Sequence, residues 1–525
     1  MSSKRILAQK TYLGIELGST RIKACLVDEG FSPIATGGYE WENRFENGYW
    51  TYDLAEVRTG LQACFAELSE NVLRQYGEKL TTVGAIGISG MMHGYLPFDA
   101  AGNLLTPFRT WRNTTTPAAA EELSDLFDFN IPQRWSIAHL YQAILNGEDH
   151  ISKVAHVTTL SGYVHSLLTG RREMGIGEAS GMFPVKGNSY HEEMLEKFDA
   201  LAASHGISWK VKELLPAIRL AGARGATLTE EGARLLDPTG TLQSGIPLCP
   251  PEGDADTGMV ATNSVKPGRG NLSAGTSTFA ILALHELPKR RYAEIDVAAT
   301  PAGAPVAMVH CTNGCSELDL WVKIFGEFAA LTGNPMDRGA VYELLYRHSE
   351  SGDYDCGGVT AYNYLSGEHV TEVAKGHPLY FRTTDSRMNL ANFMRSQLYA
   401  TMATLKLGMN ILLENEGLVL EKLYAHGGLF KVRGVAQQIL ANAVDAPVSV
   451  METAGEGGAW GMALLAAYMM EGDGLSLDAW LDEKVFSSMK SVTLEPEAEG
   501  VRGFEAYLKQ YRAGLCAERA LSDCN

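Results

Sequence analysis

The chain has 525 residues, of which 44 are Lys or Arg and 62 are Asp or Glu, giving a formal net charge of −18 at pH 7. This length exceeds what one hydrophobic core usually supports, so it predicts two or more domains. The acidic excess argues against non-specific binding of the chain to nucleic acid or anionic lipid.

We expect neither a leader sequence nor a disulfide framework. Its first eight residues are charged but lack the apolar run and cleavage site of a signal peptide. The longest apolar stretch, 459–470, is too short to cross a bilayer. Eight cysteines in a chain of this length form no dense pattern. We therefore expect a cytoplasmic protein with reduced thiols, no membrane or nucleic-acid partner and no structural zinc.

The first half alternates predicted strands and helices. Apolar, partly β-branched runs predict strands over 12–17, 22–27 and 83–89. Between the last two, apolar residues at helical spacing predict an amphipathic helix over 54–76. This alternation predicts an α/β layer architecture.

The second half repeats the scheme after a Pro- and Gly-rich crossing at 245–254. Residues 390–409 trace a long apolar helical face, 422–425 predict a short strand, and 455–470 predict a helix that opens on glycines. We place the domain boundary near residue 260.

Two turns, one in each half, share one design: a predicted strand runs into a Gly-Ser/Thr turn. We call them the Gly18 turn (Gly18, Ser19, Thr20) and the Gly275 turn (Gly275, Thr276, Ser277). Glycine lets backbone N–H groups approach an anion, and the hydroxyls add donors, so such a turn suits phosphate oxygens. Either turn alone could be an ordinary β-turn. The pair suggests a clamp on a nucleoside triphosphate.

Other nucleotide-binding signatures do not occur in this sequence. There is no G-x-x-x-x-G-K-[ST], no G-x-G-x-x-G between a strand and a helix, and no protein-kinase catalytic-loop motif. A P-loop or Rossmann interpretation is therefore not supported.

Two acidic positions suit phosphoryl transfer, which needs a divalent metal and a base near the attacking hydroxyl. Glu16 ends the first strand beside the Gly18 turn, where it could bind a metal through water or simply face solvent. Asp254 lies in a Gly-flanked loop in the interdomain crossing, where it could accept a hydroxyl proton or only form an Asx-turn. Asp256 is its rival.

A third group of residues follows the predicted strand 83–89. His93 stands beyond the carboxyl end of this strand, where ligands bind in open α/β sheets, although a half-buried core histidine is the alternative. Trp111, Arg112 and Asn113 follow with polar and aromatic groups suited to a polyhydroxylated ligand.

With these segments assembled, the chain resembles the FGGY carbohydrate kinase family, and within it is most similar to the xylulokinase branch. The resemblance runs from about Tyr12 to Tyr468. The segments that carry it are Leu13–Thr20, Ile88–Gly94, Gly253–Gly258, Gly275–Ser277, Tyr364–Glu368, Gly427–Gly428 and Glu456–Gly457.

The resemblance implies two actin-like (ribonuclease H-like) α/β ATPase domains with an interdomain cleft. The implied ranges are 11–260 for the sugar-binding domain and 261–472 for the ATP-binding domain, with 473–525 as an extension packing on the core. Asp254 would be the general base, and Glu16 with Asp254 would hold Mg²⁺. The residues assigned to ATP are Gly18, Ser19, Thr20, Lys23, Gly275, Thr276, Ser277, Gly427 and Gly428, and those assigned to the sugar are Met92, His93, Trp111, Arg112, Asn113 and Asp254.

The departures from the family pattern fall mainly on the sugar side. Glu16 and Met91 stand where the family usually has Asp and Gln, and Trp111-Arg112-Asn113 replaces a Trp-Asn-Asp segment. His139 and Gln142 occupy positions that usually carry Lys and Trp. These changes leave the reaction class intact and the identity of the sugar open.

The expected activity is transfer of the γ-phosphate of ATP to a terminal hydroxyl of a ketopentose such as xylulose, with Mg²⁺. The alternatives are a kinase for another ketose, a polyol or a sugar-acid-derived acceptor, and a non-catalytic actin-like ATP-binding sugar sensor. The expected partner is a small sugar, and a homodimer is left open.

Overall fold

The computed structural model describes residues 10–451, 457–489 and 491–523. The first two residues of the predicted helix 455–470, Gly455 and Glu456, lie outside this part of the chain. Among the described residues, no helix combines the length and the apolar character needed to cross a membrane.

The strands of the described chain are, in order, β1 (Tyr12–Leu17), β2 (Arg21–Val27), β3 (Pro33–Glu40), β4 (Arg44–Glu46), β5 (Tyr49–Thr51), β6 (Ala85–Gly90), β7 (Leu96–Phe98), β8 (His156–Thr158), β9 (Glu173–Gly175), β10 (Val185–Lys186), β11 (Ser189–Tyr190), β12 (Ala217–Arg219), β13 (Ala226–Thr227), β14 (Pro247–Leu248), β15 (Glu252–Gly253), β16 (Arg269–Ala274), β17 (Thr278–Ala283), β18 (Asp296–Ala299), β19 (Pro305–Cys311), β20 (Val359–Tyr362), β21 (Leu379–Arg382), β22 (Lys422–Gly427), β23 (Val448–Met451) and β24 (Ser491–Leu494).

The α-helices of the same residues are α1 (Leu54–Tyr76), α2 (Pro117–Phe127), α3 (Ser136–Leu145), α4 (Leu160–Thr169), α5 (Ile176–Ser180), α6 (Glu192–Ser204), α7 (Val211–Leu214), α8 (Glu230–Leu236), α9 (Asp254–Ala261), α10 (Ser316–Leu331), α11 (Arg338–Ser349), α12 (Leu390–Asn410), α13 (Val435–Val444), α14 (Gly457–Glu471), α15 (Leu477–Trp480) and α16 (Ala498–Asp523).

The described chain forms two compact units. Unit 1 contains residues 10–265, 297–306 and 457–489, and unit 2 contains 266–296, 307–451 and 491–523. Each unit has a central mixed sheet with helices packed on it, which confirms the predicted α/β class. The predicted extension 473–525 contributes to both units, since α15 belongs to unit 1 and α16 to unit 2.

The two central sheets repeat one local arrangement. In the sheet of unit 1 the strand order is β13-β14-β6-β1-β2-β3, with β15 also on β6; unit 2 has the order β19-β17-β16-β22-β23-β24. β1 pairs antiparallel with β2 and parallel with β6. β16 likewise pairs antiparallel with β17 and parallel with β22. Each turn follows a strand, as the sequence predicted, and the two turns occupy equivalent hairpins.

Helix α1 matches its predicted range, and its ends explain why. The Asp53 side chain accepts a hydrogen bond from the N–H of Ala55 at 2.8 Å, which caps the first turn. Gly77 ends the helix in the left-handed conformation, with φ of 73°. Between these ends, Val57, Leu61 and Leu68 are fully buried against the sheet of unit 1.

Helix α14 packs unusually closely within unit 1. A Cβ on Gly14 of β1 would lie 2.0 Å from the carbonyl oxygen of Ala459. A Cβ on Gly461 would lie 2.0 Å from the carbonyl oxygen of Thr257 in α9. Glycine is required at both positions because backbone meets backbone there. This packing fixes the first turn of α14 beside the end of β1.

Candidate functional site

Asp254 lies at the first position of α9, immediately after β15. Strand β15 pairs with β6 so that Gly253 lies opposite Gly90, and this register brings Asp254 to the end of β6. Its Oδ1 accepts a hydrogen bond from the N–H of Met92 at 3.2 Å. Burial raises the pKa of the Asp254 carboxyl, and backbone N–H donors such as that of Met92 partly oppose the rise.

His93 follows Met92 in a strained backbone conformation. Its φ is 71°, in the left-handed region that residues other than glycine rarely adopt, and Gly94 follows with φ of 93°. The imidazole is buried, with Nδ1 3.2 Å from the carbonyl oxygen of Gly181 and its ring stacked on Trp135 at 6.3 Å between centroids. The structure thus brings Asp254 to Met92, the neighbour of His93, although Asp254 lies 162 positions after Met92 in sequence.

Glu16 lies near Asp254, at the end of β1. Burial raises the pKa of its carboxyl to about 6; the charge of Lys23 opposes this rise and that of Asp254 adds to it. Lys23 lies opposite Glu16 in the hairpin, with Nζ 3.9 Å from Oε2. The N–H of Ala459, in the first turn of α14, donates to the Glu16 carboxylate. Glu16 is therefore held by a lysine on one side and a helix N-terminus on the other.

Gly458 and Thr257 complete this end of the sheet. A Cβ on Gly458 would lie 2.8 Å from both Oε1 of Glu16 and Oγ1 of Thr257. Thr257 Oγ1 is 3.2 Å from Oγ of Ser89, at the end of β6. The carboxyl ends of β1 and β6 thus meet the N-terminal ends of α9 and α14, where helix dipoles favour negative charge.

All three carbonyl groups of the Gly18 turn are bonded within unit 1. The indole N–H of Trp41 donates to the carbonyl of Gly18 at 2.7 Å, and its backbone N–H donates to that of Thr20 at 3.2 Å. The hydroxyl of Tyr52 donates to the carbonyl of Ser19 at 2.6 Å. Because its carbonyl oxygens already accept hydrogen bonds, this turn is better suited to bind an anion than a cation.

The Gly275 turn of unit 2 is arranged in the same way. The N–H groups of Gly314 and Cys315 donate to the carbonyls of Thr276 and Gly275, each at 2.8 Å. The N–H of Gly275 donates to the carbonyl of Ser277 at 2.9 Å. Gly275 and Thr276 remain exposed. The donors come from unrelated segments, but in both turns the carbonyl groups already accept hydrogen bonds.

A loop beneath the Gly275 turn is held by the side chain of Asn313. Its Oδ1 accepts hydrogen bonds from the N–H groups of Leu365 and Ser366, at 2.8 and 3.0 Å. Its Nδ2 donates to Oε2 of Glu368 at 3.1 Å. Asn363 donates to the carbonyl of Gly314 at 2.7 Å. The segment 363–368, part of the family resemblance, thus supports the loop on which the Gly275 turn rests.

Gly427 ends β22 in unit 2, Gly428 follows it, and both are exposed. Gly427 has φ of 112°, and a Cβ there would lie 2.3 Å from the carbonyl oxygen of Ala274. Nothing lies within 4 Å of the position where Gly428 would carry a Cβ. The β22 end beside the Gly275 turn therefore presents bare backbone, which suits a flat ring.

The predicted sugar-side residues Trp111, Arg112 and Asn113 differ in their surroundings. Trp111 is 41% exposed. Arg112 stacks on Trp50, with Cζ 3.9 Å from the ring centroid. Asn113 is buried and exchanges hydrogen bonds with the backbone of Trp50, at 2.8 and 2.9 Å. Its amide thus anchors β5, whereas Trp111 is free to contact a ligand.

Asp256, the rival base, has a different environment from Asp254. It is buried, and its Oδ2 accepts the N–H of Gly253 at 3.2 Å, which caps α9. Two further carboxyls, Glu178 and Glu252, are buried in the same cluster. Burial raises the pKa of all three carboxyls well above the usual range. Asp254 is the half-buried member of the group.

Glycines make room for these three carboxyls. A Cβ on Gly175 would lie 2.1 Å from Oε1 of Glu252, one on Gly177 would lie 2.6 Å from Oδ1 of Asp256, and one on Gly253 would lie 2.6 Å from Oε2 of Glu178. Sequence reasoning missed Glu178 and Glu252. The glycines near these acidic residues are a weak sequence signal for buried carboxyls. Which glycine lies against which carboxyl depends on contacts between distant segments, and the sequence does not show it.

Arg109 is a second residue that sequence reasoning missed. It is buried, pairs with Glu148, and lies with Cζ 4.3 Å from the ring centroid of Tyr49. His139 is fully buried nearby; burial and the Arg109 charge lower its pKa to about 3. His139 is therefore neutral, and Arg109 supplies the positive charge of this region.

The carboxylates of unit 1 fit Mg²⁺ in the manner usual for nucleotide enzymes. Oε2 of Glu16 is buried and has no hydrogen-bond partner within the described chain, which leaves it able to act as a ligand. No group of three or more His, Cys, Asp or Glu side chains among the described residues could hold a metal by itself. Mg²⁺ commonly takes one or two carboxylates and completes its shell with water and phosphate oxygens.

The fold is that of known sugar kinases. The xylulose kinase of Rhodospirillum rubrum superposes with a TM-score of 0.79 at 18% identity, covering 98% of this chain and 100% of that one. The gluconate kinase of Lactobacillus acidophilus superposes with a TM-score of 0.76 at 16% identity, covering 97% and 99%. This agreement confirms the predicted two-domain, actin-like architecture.

Sequence similarity points to the same group of proteins. The xylulose kinase of Lactococcus lactis subsp. lactis (strain IL1403) is 25% identical over 213 residues, which span 36% of this chain and 39% of that protein. Residues 11–260 match the N-terminal domain of the FGGY family of carbohydrate kinases, and residues 270–470 match its C-terminal domain. With most of its length matched in this way, the chain belongs to the FGGY family of carbohydrate kinases.

Proposed function

We propose that the chain transfers the γ-phosphoryl group of ATP to a terminal hydroxyl of a ketopentose such as xylulose. The observation that carries this proposal is the hydrogen bond from the N–H of Met92 to Oδ1 of Asp254. It joins the segment assigned to the sugar to the carboxylate assigned as base. Family membership supports the reaction class.

Asp254 acts in this proposal as the general base. Its carboxylate accepts the proton of the acceptor hydroxyl as that oxygen attacks phosphorus. The N–H of Met92 holds Oδ1, which orients the other oxygen. A pKa raised by burial makes the carboxylate a stronger base than an exposed aspartate. Asp256 is assigned to capping α9 because its Oδ2 accepts the N–H of Gly253.

The phosphate groups are assigned to the Gly18 and Gly275 turns, with Lys23 as a nearby cation. Both turns have their carbonyls occupied by other donors, so their remaining N–H and hydroxyl groups suit phosphate oxygens. Gly427 and Gly428 are assigned to the adenosine. When bound by Glu16 and Asp254, Mg²⁺ neutralises charge on the phosphates.

The acceptor is assigned to Met92, His93, Trp111 and Arg112, with Asn113 holding the neighbouring strand. The strained backbone of His93 favours a functional role, since such strain is retained where the surrounding structure enforces it. Trp111 offers an exposed aromatic face, which suits the C–H surface of a sugar.

The acceptor class is tested by a coupled ADP-release screen over ketoses, aldoses, polyols and sugar acids. We expect the highest kcat/KM with a ketopentose. A clear preference for a sugar acid or polyol would retain the kinase and replace the substrate, in line with the fold similarity to a gluconate kinase. ATP binding without turnover on any acceptor would contradict the proposal and favour a sensor.

A further inference from the structure

Tyr52 follows β5 and contacts the Gly18 turn from outside its hairpin. Its hydroxyl donates to the carbonyl of Ser19 at 2.6 Å, although the two residues lie 33 positions apart in sequence. The residue is almost fully buried, with 3% of its surface exposed. A hydrogen bond that is shielded from water is stronger than an exposed one. The middle residue of the Gly18 turn is therefore held by this tyrosine.

The ring of Tyr52 contacts two further aromatic rings. Trp41 lies 4.4 Å away and Phe108 lies 6.4 Å away, measured between ring centroids. Trp41 also donates to the carbonyls of Gly18 and Thr20. All three aromatic residues belong to the hydrophobic core of unit 1, and we call them the aromatic cluster (Trp41, Tyr52, Phe108). The cluster therefore joins the Gly18 turn to the core segment that contains Phe108.

Phe108 contacts the segment that carries His93. A Cβ on Gly94 would lie 2.8 Å from Cε2 of Phe108, so the edge of the ring packs against the backbone there. The N–H of Tyr95 donates to the carbonyl of Arg109 at 2.8 Å, which holds the residue after Phe108 beside the same segment. Because His93 and Gly94 both have positive φ, this backbone keeps its conformation only with support from its neighbours. Phe108 supplies part of that support.

Polar contacts also lead from Tyr52 to Arg112. Burial raises the pKa of the Tyr52 hydroxyl, and a hydrogen bond from the Asn43 side chain partly opposes this rise. Oδ1 of Asn43 accepts a hydrogen bond from Nη1 of Arg112 at 2.9 Å. Tyr52 is thus one residue away from both segments assigned to the acceptor, since Phe108 leads to His93 and Asn43 leads to Arg112.

We propose that Tyr52 is a positioning residue that fixes the Gly18 turn relative to the acceptor segment 92–94. The inference rests on the proposed function, which assigns phosphate to the turn and the sugar to the segment. Tyr52 itself contacts neither substrate. It acts through the Gly18 turn on one side and through Phe108 and Asn43 on the other.

Loss of the Tyr52 hydroxyl should affect kcat more than it affects substrate binding. Each substrate would keep its own contacts, but the acceptor oxygen and the γ-phosphorus would no longer be held at the correct separation. A displacement of about 1 Å between reacting groups can slow a reaction by about a hundredfold. A purely structural role would instead lower the melting temperature and leave the kcat of the folded enzyme unchanged.

The test is Tyr52→Phe, which keeps the ring contacts and removes the hydroxyl. We expect kcat with the preferred acceptor to fall by about ten- to a hundredfold. The KM for the acceptor and the Kd for a non-hydrolysable ATP analogue should stay close to the wild-type values. Tyr190→Phe is the matched control, because Tyr190 is also buried in unit 1 and its hydroxyl donates to the carbonyl of Pro216 at 3.2 Å. This control should keep the wild-type kcat.

The outcomes separate this inference from the proposed function. A wild-type chain that turns over no acceptor would refute the proposed function, and this inference with it. An active wild type whose kcat is retained in Tyr52→Phe would refute the inference alone. The inference would also fail if the Kd for the ATP analogue rose as much as kcat fell, because the hydroxyl would then act on nucleotide binding alone.

A double variant tests the polar contacts between Tyr52 and Arg112. Asn43→Ala should lower kcat by itself, because it removes the residue that joins the Tyr52 hydroxyl to Arg112. Added to Tyr52→Phe, it should lower kcat little further, since the hydroxyl through which Asn43 acts is already absent. Losses of kcat that multiply in the double variant would contradict this part of the proposal.

Discussion

Gly314 lies directly beneath Thr276: its N–H donates to the Thr276 carbonyl at 2.8 Å, and a Cβ on Gly314 would lie 2.4 Å from the carbonyl oxygen of Gly275. The Gly275 turn therefore rests on a position that has no room for a side chain. The position of the turn is set by a residue with no functional group of its own.

Gly314→Ala should displace the Gly275 turn, because the neighbours of the added methyl are backbone atoms that cannot rotate away. We expect kcat/KM for ATP to fall by about ten- to a hundredfold, as expected for a displacement near 1 Å, with the KM for the acceptor unchanged. Gly326→Ala is the control, since its nearest contact is an ordinary 3.8 Å. Equal kinetics for the two variants would remove this loop from nucleotide binding.

Asp254→Asn should abolish sugar-dependent ADP release while retaining ATP binding. The amide oxygen can still accept the Met92 N–H, so shape is kept and only the base is lost. General-base catalysis is worth about a hundred- to ten-thousandfold. Asp256→Asn, which alters a helix cap, should lower the melting temperature with a smaller effect on turnover. Wild-type turnover by the Asp254 variant would make Asp256 the candidate base.

Glu16→Gln should weaken Mg²⁺-dependent turnover, and Glu16→Asp should be tolerated. The reason is the buried Oε2 atom, which lacks a hydrogen-bond partner within the described chain and suits a hard cation. Magnesium titrations of both variants decide the point. An unchanged half-saturation and maximal rate in the Gln variant would exclude Glu16 from the metal site.

His93→Ala should lower kcat/KM for the sugar by about ten- to a hundredfold and leave the KM for ATP unchanged, since losing one partner of a buried polar contact costs roughly 1–3 kcal/mol. His93→Asn separates the imidazole from the backbone, because Asn tolerates the left-handed conformation found here. If only strain mattered, the Asn variant would behave like wild type. A lower melting temperature with unaltered sugar affinity would identify a core histidine.

Glu518 should make unit 2 less stable as pH rises. This residue of α16 is fully buried, and burial raises its pKa from 4.5 to about 7. A raised acid pKa favours folding below the unfolded value, and this contribution is lost as pH rises from about 4.5 to 7. Relative to wild type, Glu518→Gln should gain up to about 3 kcal/mol in unfolding free energy between pH 4 and 8. Urea denaturation at several pH values measures it; a constant difference would contradict the expectation.

Sequence patterns correctly predicted the helices and turns whose conformation is determined by neighbouring residues. Helix α1 has caps and an apolar face within its own sequence, and both Gly turns lie between strands that pair with each other. The register that brings Asp254 to Met92 could be anticipated only through the family resemblance, because it depends on β15 joining β6 across the chain.

The rest of the candidate site depends on contacts between distant segments. Asn313 and Glu368 carry no recognisable spacing, and their importance follows from the loop they join. The buried carboxyl of Glu178 lies against Gly253, which is 75 positions later in sequence. Residues 457–471 fall in the predicted range 261–472, but their helix packs within unit 1. Because this helix is apolar on all sides, its sequence does not indicate which sheet it covers.

The packing of α14 on β1 also bears on the order in which the chain can fold during synthesis. The helix that fills the groove above Gly14 of β1 is synthesised more than four hundred residues after that strand. Domains usually fold as they emerge, N-terminal domain first. Here the part of the sheet of unit 1 that α14 covers stays uncovered until residue 471 has been made, so unit 1 cannot be completed before most of unit 2 has been synthesised.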